Sequence, residues 1–430
     1  MSQTRRTAVL GMAGLATLGA ARCARNPDVV IVGAGAAGIA AAWAAQAQGL
    51  NAIVLEARAR VGGRAFTDTS TWGSPFDVGC GWLHKADDNP WASYARDNDF
   101  TLRPHEHDLE RVWGDAGPLP TEPISAAETA ISATITAASR DVAAARLVDL
   151  SDAVEEAAGD YIGALDMGVD LDRMSTFDFA NADDLAPNLL CAEGYGTIVA
   201  HRARGLRVVL NTPVRRVRWD GPGVTVETGS GVIRAEAVIV TASTGVLASG
   251  ALRFTPELPT STQSAINDLP MGILAKIPLK IRDQRFGLEP FSGLLLARRG
   301  RRDINFLCFP FATDLMVGFV GGELGWALSA AGEAAAVDFA TEALVHMFGS
   351  GAAAAVQKGG MTPWASDPWA LGAYATARPG RYAARAALAA PIADRIFFAG
   401  EALAGGLSQT CGGAYRSGET AARAVAAALA

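Results

Sequence analysis

A glycine motif between two apolar segments near the amino end constrains the fold more than any other feature of this sequence. Residues 29–32 predict a buried strand, residues 39–48 predict an alanine-rich helix, and residues 53–55 predict a second strand that ends at Glu56. The glycines between the first strand and the helix have the spacing GxGxxG and are Gly33, Gly35 and Gly38. Strand, glycine turn, helix, strand and acidic residue in this order predict an α/β fold with a Rossmann-like domain that binds a dinucleotide.

Each part of this motif has a mechanical reason. Gly33 allows a tight turn, Gly35 lets the backbone approach a pyrophosphate at the helix N-terminus, and Gly38 lets helix and strand pack closely. Glu56 can accept hydrogen bonds from a ribose. The other residues expected at the dinucleotide in this segment are Ala36 and Ala37.

The composition limits the class of protein. The chain has 430 residues, of which 50% are hydrophobic and 19% are charged, so it can bury a large core and is too long for one simple domain. The formal net charge of −7 argues against a nucleic-acid surface and mildly favours cationic small molecules. The five cysteines form no CxxC pair and no Cys/His cluster, so neither a metal site nor a disulfide framework is predicted. They are Cys23, Cys80, Cys191, Cys308 and Cys411.

The amino-terminal segment, residues 1–26, predicts an export signal. Arg5 and Arg6 precede an apolar run, residues 8–21, that is shorter than the roughly 18 residues needed to span a bilayer. The segment resembles a twin-arginine signal, and cleavage near Ala21 would release a protein that crossed the membrane folded into the periplasm. An N-terminal helix that stays attached is the alternative. No transmembrane helix is predicted beyond this signal.

Alternating apolar residues predict a strand within residues 270–281. Isoleucine, alanine and leucine occupy one face, and Lys276 and Lys280 share the other face with Pro278. From this stretch alone the simpler interpretation is a half-buried edge strand with solvated lysines, because proline cannot donate to a central ladder and lysine is common on edges. A lysine that works in the chemistry of the protein is the alternative.

Two arginines and a pair of glycines follow Glu56 in "EARARVGGRAF". Arginine side chains and glycine backbone suit an extended pyrophosphate, through charge-assisted hydrogen bonds and close approach. The segment resembles the second FAD fingerprint of the flavin-containing amine oxidases, the group of monoamine oxidases, polyamine oxidases and flavin-dependent histone demethylases. From here and from "FDVGCGWLH", the residues implied at the FAD are Ala57, Arg58, Gly63, Arg64, Gly79, Gly81 and Trp82.

The resemblance extends over nearly the whole mature chain, in the order of the family. It covers a β-meander segment, the flavin-facing stretch "WASDPWALGAYA" and the closing motif "RIFFAGEALAGGLSQTCGGAYRSGETAARAV". The further residues that it implies at the FAD are Val214, Trp364, Gly400, Glu401, Thr410 and Cys411. The last two begin a helix whose N-terminus would supply backbone donors and positive potential to the pyrimidine side of the flavin.

The resemblance also assigns the lysine on the alternating strand. Lys276 stands where the family carries the lysine that reaches a water bonded to the flavin N5, which leaves Lys280 as the solvent lysine. Its ammonium would stabilise charge that develops on the flavin or orient the hydrolytic water. Ala373 stands where monoamine oxidases carry the cysteine that tethers FAD, so FAD is expected to bind non-covalently.

The resemblance implies less about the substrate. The family often places two aromatic rings beside the flavin; Tyr374 matches one of them, whereas Thr410 occupies the other position. His84 stands where polyamine oxidases border the substrate amine with a histidine, although a solvent-facing histidine is the alternative. Asp87 and Asp88 could attract a second ammonium, or they could belong to a solvated turn.

The order of the motifs predicts two interleaved domains. Residues 27–88, 192–253 and 374–430 are expected to build the FAD-binding domain. Residues 89–191 and 254–373 are expected to build a substrate domain, a sheet flanked by helices above the flavin. The segments "NFLCFPF" and "LMVGFV" predict strands of that sheet, and an alanine-rich stretch before them predicts a long helical region.

The resemblance implies an FAD-dependent amine oxidoreductase. An amine would give a hydride from its α-carbon to flavin N5, the imine would be hydrolysed by water, and the electrons would pass to O2, giving hydrogen peroxide, or to a redox protein or quinone. Polyamines are the first expectation for the substrate and monoamines the second. The alternatives are a flavin desaturase or protoporphyrinogen-oxidase-like enzyme, and a flavin-binding protein without turnover.

Overall fold

The computed structural model describes residues 26–106, 109–298, 300 and 303–430. The predicted export signal lies outside these residues except for its last position. Within the described part of the chain, no helix combines the length and the apolar character needed to cross a membrane. The α-helices in this part are α1 (Ala36–Ala47), α2 (Pro90–Asp97), α3 (Glu122–Thr136), α4 (Ala153–Asp160), α5 (Thr176–Ala180), α6 (Tyr195–Arg202), α7 (Thr244–Ala248), α8 (Thr260–Asp268), α9 (Gly322–Ala331), α10 (Glu333–Phe348), α11 (Gly351–Ala355), α12 (Ala384–Ala389) and α13 (Cys411–Leu429).

The strands form one parallel sheet, one large mixed sheet, a meander and two short pairs. They are β1 (Val29–Val32), β2 (Ala52–Leu55), β3 (Thr67–Asp68), β4 (Phe76–Asp77), β5 (Leu102–Pro104), β6 (Arg111–Gly114), β7 (Gly117–Leu119), β8 (Leu189–Cys191), β9 (Val208–Val209), β10 (Val214–Gly221), β11 (Gly223–Thr228), β12 (Gly231–Ala235), β13 (Ala237–Val240), β14 (Arg253–Thr255), β15 (Leu274–Ile281), β16 (Gly293–Leu296), β17 (Ile304–Cys308), β18 (Leu315–Gly321), β19 (Val356–Gly359) and β20 (Ile396–Phe398).

The parallel sheet has the strand order β20-β13-β1-β2-β9 and confirms the predicted α/β fold. Its central strand β1 is buried along its whole length, as a strand covered on both faces must be. The helices α1 and α13 pack against each other beside this sheet. The first helix begins at Ala36, three residues before the predicted start, because the glycine turn leads directly into it.

The meander β12-β11-β10 continues into β14 and stands next to the parallel sheet. Its inward side chains share one core cluster with the outer face of β1 and β2. Val214, at the start of β10, is thereby brought to the edge of the parallel sheet where the second strand ends.

The large sheet has the strand order β19-β15-β18-β17-β16-β6-β7. The strand with the two lysines, β15, pairs with β18 over its full length and with β19 near its end, so the prediction of an edge strand is wrong. Pro278 is tolerated inside the sheet because β19 pairs only from Leu279 onward, while Gly360 N–H donates to the Pro278 carbonyl. The predicted strands "NFLCFPF" and "LMVGFV" are confirmed as β17 and β18.

The alanine-rich region is helical but interrupted. After α3 the chain forms only one short 3₁₀ turn, Ala144–Arg146, before α4 begins. A π-helical segment, Tyr161–Met167, then continues α4 and ends at Gly168, whose φ is +68°. This π-helical segment contains Asp166, whose carbonyl oxygen accepts a hydrogen bond from the Tyr374 hydroxyl at 2.9 Å.

Most strands of the three larger sheets lie within the segments predicted for the two domains, but β14 of the meander extends two residues beyond residue 253. The parallel sheet and the meander use residues 29–55, 208–255 and 396–398, and the large sheet uses residues 111–119 and 274–359. The boundary residues of the two domains stay a prediction.

Candidate active site

A single cavity brings together motifs that are distant in sequence. Its wall contains every residue predicted at the cofactor or the substrate except Gly38. The predicted residues on the wall are Gly33, Gly35, Ala36, Ala37, Glu56, Ala57, Arg58, Gly63, Arg64, Gly79, Gly81, Trp82, His84, Val214, Lys276, Trp364, Tyr374, Gly400, Glu401, Thr410 and Cys411. Their roles toward a ligand are considered below as proposals.

Gly38 does not line the cavity, and its place at the cofactor stays a prediction. A Cβ atom on Gly38 would lie 1.9 Å from the carbonyl oxygen of Gly33, so no side chain fits there. Gly33 itself has a φ of +103°, in the region that favours glycine, and its Cβ would lie 2.5 Å from Thr241 Oγ1. Gly33 therefore forms the turn, and Gly38 sets how closely α1 packs on it.

The two glycine segments face each other at the N-terminus of α1. Gly35 forms a β-bridge with Gly62, and a Cβ atom on Gly63 would lie 3.3 Å from Gly35 Cα. The helix has no side-chain cap and no acidic residue in its first turn. An uncapped helix N-terminus between two bare backbone segments favours a phosphate group, so the described residues fit the pyrophosphate of FAD.

Glu56 is held in a fixed orientation at the end of β2. Its side chain is buried; Oε2 accepts a hydrogen bond from Ala34 N at 2.7 Å, and Oε1 accepts one from Arg58 N at 2.8 Å. A carboxylate oxygen has two acceptor sites, so each can accept a further hydrogen bond from a hydroxyl group. Glu56 is therefore placed as the predicted ribose contact requires.

The two arginines of the second fingerprint connect this region to later parts of the chain. Arg58 forms an ion pair with Asp367 at 2.6 Å, a partner that sequence reasoning missed. Arg64 forms an ion pair with Glu401 at 2.9 Å and donates to the carbonyl oxygen of Ala373 at 2.6 Å. Arg64 thus links its own segment, which directly follows Gly62 and Gly63, to the closing motif at Glu401 and to the flavin-facing stretch at Ala373.

Lys276 projects from β15 into the cavity, as the alternative of a working lysine requires. Its side chain is buried, and Nζ donates a hydrogen bond to the carbonyl oxygen of Asp77 at 2.7 Å. The ring centroids of Phe76 and Phe319 lie 5.9 and 5.6 Å from Nζ. Burial lowers the pKa of Lys276, and the nearby Asp77 carboxylate opposes this shift. Lys280 is half-buried and does not line the cavity.

Asp77 is a buried acid that the sequence motifs did not single out. Its carboxylate accepts hydrogen bonds from the Thr67 hydroxyl at 2.6 Å and from the backbone N–H groups of Tyr195 at 2.9 Å and Gly196 at 3.2 Å. Burial raises the pKa of Asp77, whereas Lys276 and these hydrogen bonds lower it. The carboxylate therefore caps α6 while the carbonyl of the same residue holds the Lys276 ammonium.

The predicted aromatic residues Trp364 and Tyr374 both lie on the cavity wall and form hydrogen bonds with different segments of the chain. Trp364 donates from its indole N–H to the carbonyl oxygen of Val78 at 2.8 Å, and Tyr374 donates from its hydroxyl to the carbonyl oxygen of Asp166 at 2.9 Å. Thr410 caps α13, since its hydroxyl accepts from Gly413 N at 2.9 Å. Of the two positions at which the family often carries an aromatic ring beside the flavin, Tyr374 therefore provides a ring. The other position holds Thr410, a small residue that caps α13.

His84 lies on the wall and is half-buried, so the alternative of a solvent-facing histidine is wrong. Its Nδ1 lies 2.7 Å from Asn188 Oδ1, and Asn188 Nδ2 donates to Glu106 Oε2 at 2.6 Å. Because the Asn188 amide nitrogen faces Glu106, the hydrogen-bond network assigns the His84 proton to Nδ1. Burial lowers the pKa of His84, which favours the neutral ring.

The two aspartates after His84 belong to a turn. Asp87 and Asp88 are exposed, and Asp88 forms an ion pair with Arg416 at 2.6 Å. Neither residue lines the cavity. The structure therefore supports the solvated turn.

A different pair of carboxylates stands near Tyr374. The pKa of Asp166 is raised to about 8, because desolvation disfavours the charged carboxylate and because the Glu128 carboxylate lies close by. The residue as a whole still has surface exposed to solvent. Burial also raises the pKa of Glu128. Two carboxylates that resist ionisation beside each other would be stabilised by a cation, a feature that no sequence motif signalled.

The described residues contain no group of three or more histidine, cysteine or acidic side chains arranged to hold a metal ion. The charged side chains on the cavity wall are Arg58, Arg64, Lys276 and the single carboxylates Glu56 and Glu401. This set of groups suits an anionic dinucleotide.

Comparisons of the sequence with known families give two matches. A model of flavin-containing amine oxidoreductases matches residues 107–426, and a model of an NAD(P)-binding Rossmann-like domain matches residues 31–97. Polyamine oxidase 4 of Oryza sativa subsp. japonica is 30% identical over 93% of this chain and 89% of its own length. Lysine-specific histone demethylase 2 of Homo sapiens is 26% identical over 94% of this chain, but over 54% of its own length.

Solved structures show the same fold. Cyclohexylamine oxidase from Brevibacterium oxydans IH-35A superposes with a TM-score of 0.78 at 24% identity, covering 94% of this chain and 99% of that one. Wild-type putrescine oxidase bound to putrescine superposes with a TM-score of 0.78 at 22% identity, covering 93% and 99%. At this level of identity the likeness concerns the fold alone.

Proposed function

The chain belongs to the flavin-containing amine oxidoreductases, and we propose that this member is an amine oxidase that prefers diamines or polyamines, with monoamines as second-best substrates. Its cofactor is FAD. When FAD is bound, it accepts a hydride, which is two electrons and a proton, from the α-carbon of the amine. The carbon–nitrogen product is an imine, which water hydrolyses to a carbonyl compound and a released amine. Membership in this family also disfavours the alternatives of a desaturase and of a flavin-binding protein without turnover.

The observation that carries this proposal is the position of the buried Lys276 on the wall of the cavity. The N-terminus of α1 and Glu56 would hold the dinucleotide end of FAD, and Lys276, Trp364 and Tyr374 line the same cavity. Ala373 also lies on this wall and has no side-chain atom that could form a tether, which supports non-covalent binding of FAD.

Lys276 has donors to spare after its contact with Asp77. An ammonium group carries three N–H donors, and the hydrogen bond to the Asp77 carbonyl uses one of them. The others can hold a water molecule in the cavity. Because this site is walled by Phe76 and Phe319, a charge at Lys276 is screened less than it would be in bulk water.

The wall around the reacting amine favours its neutral form. Tyr374, Phe319 and Leu274 form an apolar part of the wall, and an apolar surrounding lowers the pKa of an ammonium group. The neutral form is required because the nitrogen lone pair must be available when the α-carbon is oxidised. His84, which is neutral through its own lowered pKa, borders the same space without repelling a cation.

The preference for a second amino group rests on Asp166 and Glu128. The Tyr374 hydroxyl donates to the Asp166 carbonyl oxygen, so Asp166 adjoins a ring that lines the cavity, while the Asp166 and Glu128 carboxylates themselves lie outside the cavity wall. A distal ammonium bound there would oppose both causes that raise the pKa of Asp166, which are desolvation first and repulsion by Glu128 second. A monoamine has no group that could make this contact.

Anaerobic titration with a panel of amines tests the proposal. The purified holoenzyme is mixed with mono-, di- and polyamines while the flavin absorption band is followed, and air is then admitted with an assay for hydrogen peroxide. We expect di- and polyamines to bleach the band at lower concentrations than monoamines, with peroxide formed on reoxidation. Failure of every amine to bleach the band would contradict the proposal, and bleaching with slow reoxidation in air would point to a redox protein or quinone as acceptor.

We also propose that the enzyme acts in the periplasm. This proposal rests on Arg5, Arg6 and the apolar run after them, a pattern typical of the twin-arginine route, which exports folded and cofactor-loaded proteins. Fractionation of cells that express the full chain tests it: FAD-containing protein is expected in the periplasmic fraction. Arg5→Lys together with Arg6→Lys should leave that protein in the cytoplasm, and an unchanged distribution would contradict the proposal.

A further inference from the structure

Three polar side chains form a hydrogen-bonded chain from the cavity wall to the surface. His84 lines the cavity, Asn188 is buried, and Glu106 is exposed to solvent. His84 Nδ1 lies 2.7 Å from Asn188 Oδ1, and Asn188 Nδ2 donates to Glu106 Oε2 at 2.6 Å. The proposed amine chemistry involves the first of these side chains and assigns no role to the other two.

The backbone fixes the places of these side chains. Asn188 directly precedes β8, Glu106 follows β5 by two residues, and the two strands pair with each other. His105 N also donates to the carbonyl oxygen of Asn188 at 3.0 Å, and Leu83 and Leu189 exchange two backbone hydrogen bonds at 2.8 and 3.2 Å. The three segments are therefore held together by their main chains, so replacement of an outer side chain should leave the histidine ring in place.

Glu106 holds the Asn188 amide in one orientation. Its Oε1 accepts from the Asn188 backbone N–H at 2.9 Å, and its Oε2 accepts from the Asn188 side-chain N–H at 2.6 Å. If the amide turned over, Asn188 Oδ1 would face Glu106 Oε2, and two acceptors would meet without a hydrogen between them. The amide nitrogen therefore stays toward Glu106, and the amide oxygen stays toward His84.

The oriented amide selects one tautomer of the neutral His84 ring. Asn188 Oδ1 has no hydrogen to give, so His84 Nδ1 must donate to it. In the neutral ring the other nitrogen, Nε2, then carries a lone pair and acts as an acceptor. Burial lowers the pKa of His84, which favours the neutral ring. With the opposite tautomer, Nε2 would carry a hydrogen and would act as a donor.

We propose that Glu106 and Asn188 are positioning residues that keep His84 Nε2 an acceptor for an N–H group of the reacting amine. The amine nitrogen then donates to the ring and keeps its own lone pair available while its α-carbon is oxidised. The opposite tautomer would donate to that lone pair and withhold it from the reaction. The inference rests on the proposed amine oxidation and deepens it, because it assigns control of the substrate's hydrogen bonding to two residues outside the cavity wall.

Nitrogen NMR of the histidine rings tests the tautomer without relying on catalysis. The holoenzyme is labelled with ¹⁵N-histidine, and long-range ¹H–¹⁵N spectra are recorded at a pH where the ring is neutral. The signals missing from His84→Asn identify the His84 ring. In the unaltered chain we expect Nδ1 to carry the hydrogen and Nε2 to have the shift of an unprotonated ring nitrogen. A hydrogen on Nε2 in the unaltered chain would overturn the inference.

Two variants test the part played by Glu106. In Glu106→Ala the amide is free to turn over, so the Nε2 signal of His84 should move toward that of a protonated nitrogen. In the double variant Glu106→Ala/Asn188→Asp the side chain at position 188 has acceptors only, so the tautomer with hydrogen on Nδ1 should return. An unchanged His84 spectrum in Glu106→Ala, or an Nε2 that stays protonated in the double variant, would contradict the assigned roles.

Anaerobic flavin reduction by butylamine tests the consequence for the reaction. Loss of one hydrogen bond of ordinary strength changes a rate or an affinity by about tenfold, so the flavin of Glu106→Ala should be reduced about tenfold more slowly at saturating amine. The matched control is Glu110→Ala, because Glu110 is exposed on the same segment outside the cavity wall, and it should keep the rate of the unaltered enzyme.

The outcomes separate this inference from the proposed function. Equal rates of flavin reduction in Glu106→Ala and in the unaltered enzyme would overturn the inference alone. Failure of every amine to reduce the flavin of the unaltered enzyme would overturn the proposed function and, with it, the role assigned to Glu106 and Asn188.

Discussion

The Lys276 ammonium donates a hydrogen bond to the carbonyl oxygen of Asp77 at 2.7 Å, while the Asp77 carboxylate accepts from the first two backbone N–H groups of α6. One residue thus fixes both the lysine on the large sheet and the helix that follows the substrate segment. The contact spans 199 positions of sequence. It holds the Lys276 head group in the cavity, where burial would otherwise favour its withdrawal.

Replacement of Lys276 should slow the enzyme without displacing FAD. Removing a single preorganised donor from a water-excluded site typically lowers the rate by about 10²-fold, and we expect Lys276→Met to lower kcat by this order of magnitude. Stopped-flow absorbance of the flavin band separates the reduction and reoxidation steps. Lys280→Met is the matched control, since Lys280 lies on the same strand outside the cavity, and should retain the activity. Equal losses in both variants would contradict a special role for Lys276.

The Arg64 guanidinium should contribute to FAD retention. It holds Glu401 at 2.9 Å and the Ala373 carbonyl at 2.6 Å, so Arg64→Ala removes a link between three segments of the wall. Hydrogen bonds to charged groups contribute about 1.5–3 kcal/mol, so FAD affinity should fall by one to two orders of magnitude. The ratio of flavin to protein absorbance after gel filtration measures the loss. Arg218→Ala, on the exposed face of β10, should retain FAD, and an unchanged ratio in Arg64→Ala would contradict the prediction.

Diamine binding should depend on pH through Asp166. Because the pKa of Asp166 in the folded protein is raised to about 8, its carboxyl group is neutral below that pH and negative above it. The KM for a diamine should therefore fall as pH rises through about 8, as long as the distal amine keeps its proton. Asp166→Asn should remove this fall and raise the diamine KM above pH 8, with the KM for a monoamine unchanged.

The control for this prediction is Asp87→Asn, an exposed turn residue outside the cavity. It should keep the pH profile of the unaltered enzyme. A diamine profile that is the same in Asp166→Asn as in the unaltered enzyme would show that the distal ammonium binds elsewhere.

A buried ion pair should stabilise the flavin-facing stretch. Arg385 forms two hydrogen bonds with Asp178, at 2.6 and 2.7 Å, and also donates to the carbonyl oxygens of Ala375 and Ala402. Removing one partner of a buried pair costs about 3–5 kcal/mol, so Asp178→Ala should lower the free energy of unfolding by this amount. Denaturant unfolding measures it. Arg381→Met, an exposed arginine, should change stability little, and a similar small effect in Asp178→Ala would contradict the prediction.

Local patterns predicted much of the fold and of the cofactor cradle. The turn at Gly33, the buried strands and the acid at Glu56 lie within one continuous segment, so their geometry follows from neighbouring residues. The role of Lys276 could be predicted only from the resemblance to a family, because the pattern of its own strand favoured an edge strand with solvated lysines. Whether β15 is an edge or an interior strand depends on pairing with β18 and β19, which lie farther along the chain.

The residues that sequence reasoning missed act through distant partners. Asp367 pairs with Arg58 across 309 positions, and Asp166 reaches Tyr374 across 208. Nothing in the local sequence distinguishes either aspartate from a solvated one. Asp87 and Asp88 were considered instead because they follow His84 directly, but the chain turns them outward.

The preference for a second amino group is tested most directly by two substrates that share a carbon skeleton. The rate of flavin reduction is measured anaerobically, at pH above 8, with butylamine and with 1,4-diaminobutane over a range of concentrations. These substrates differ only in the distal amino group. We predict a lower half-saturating concentration for the diamine, with the difference abolished in Asp166→Asn. Equal or tighter binding of butylamine would contradict the account.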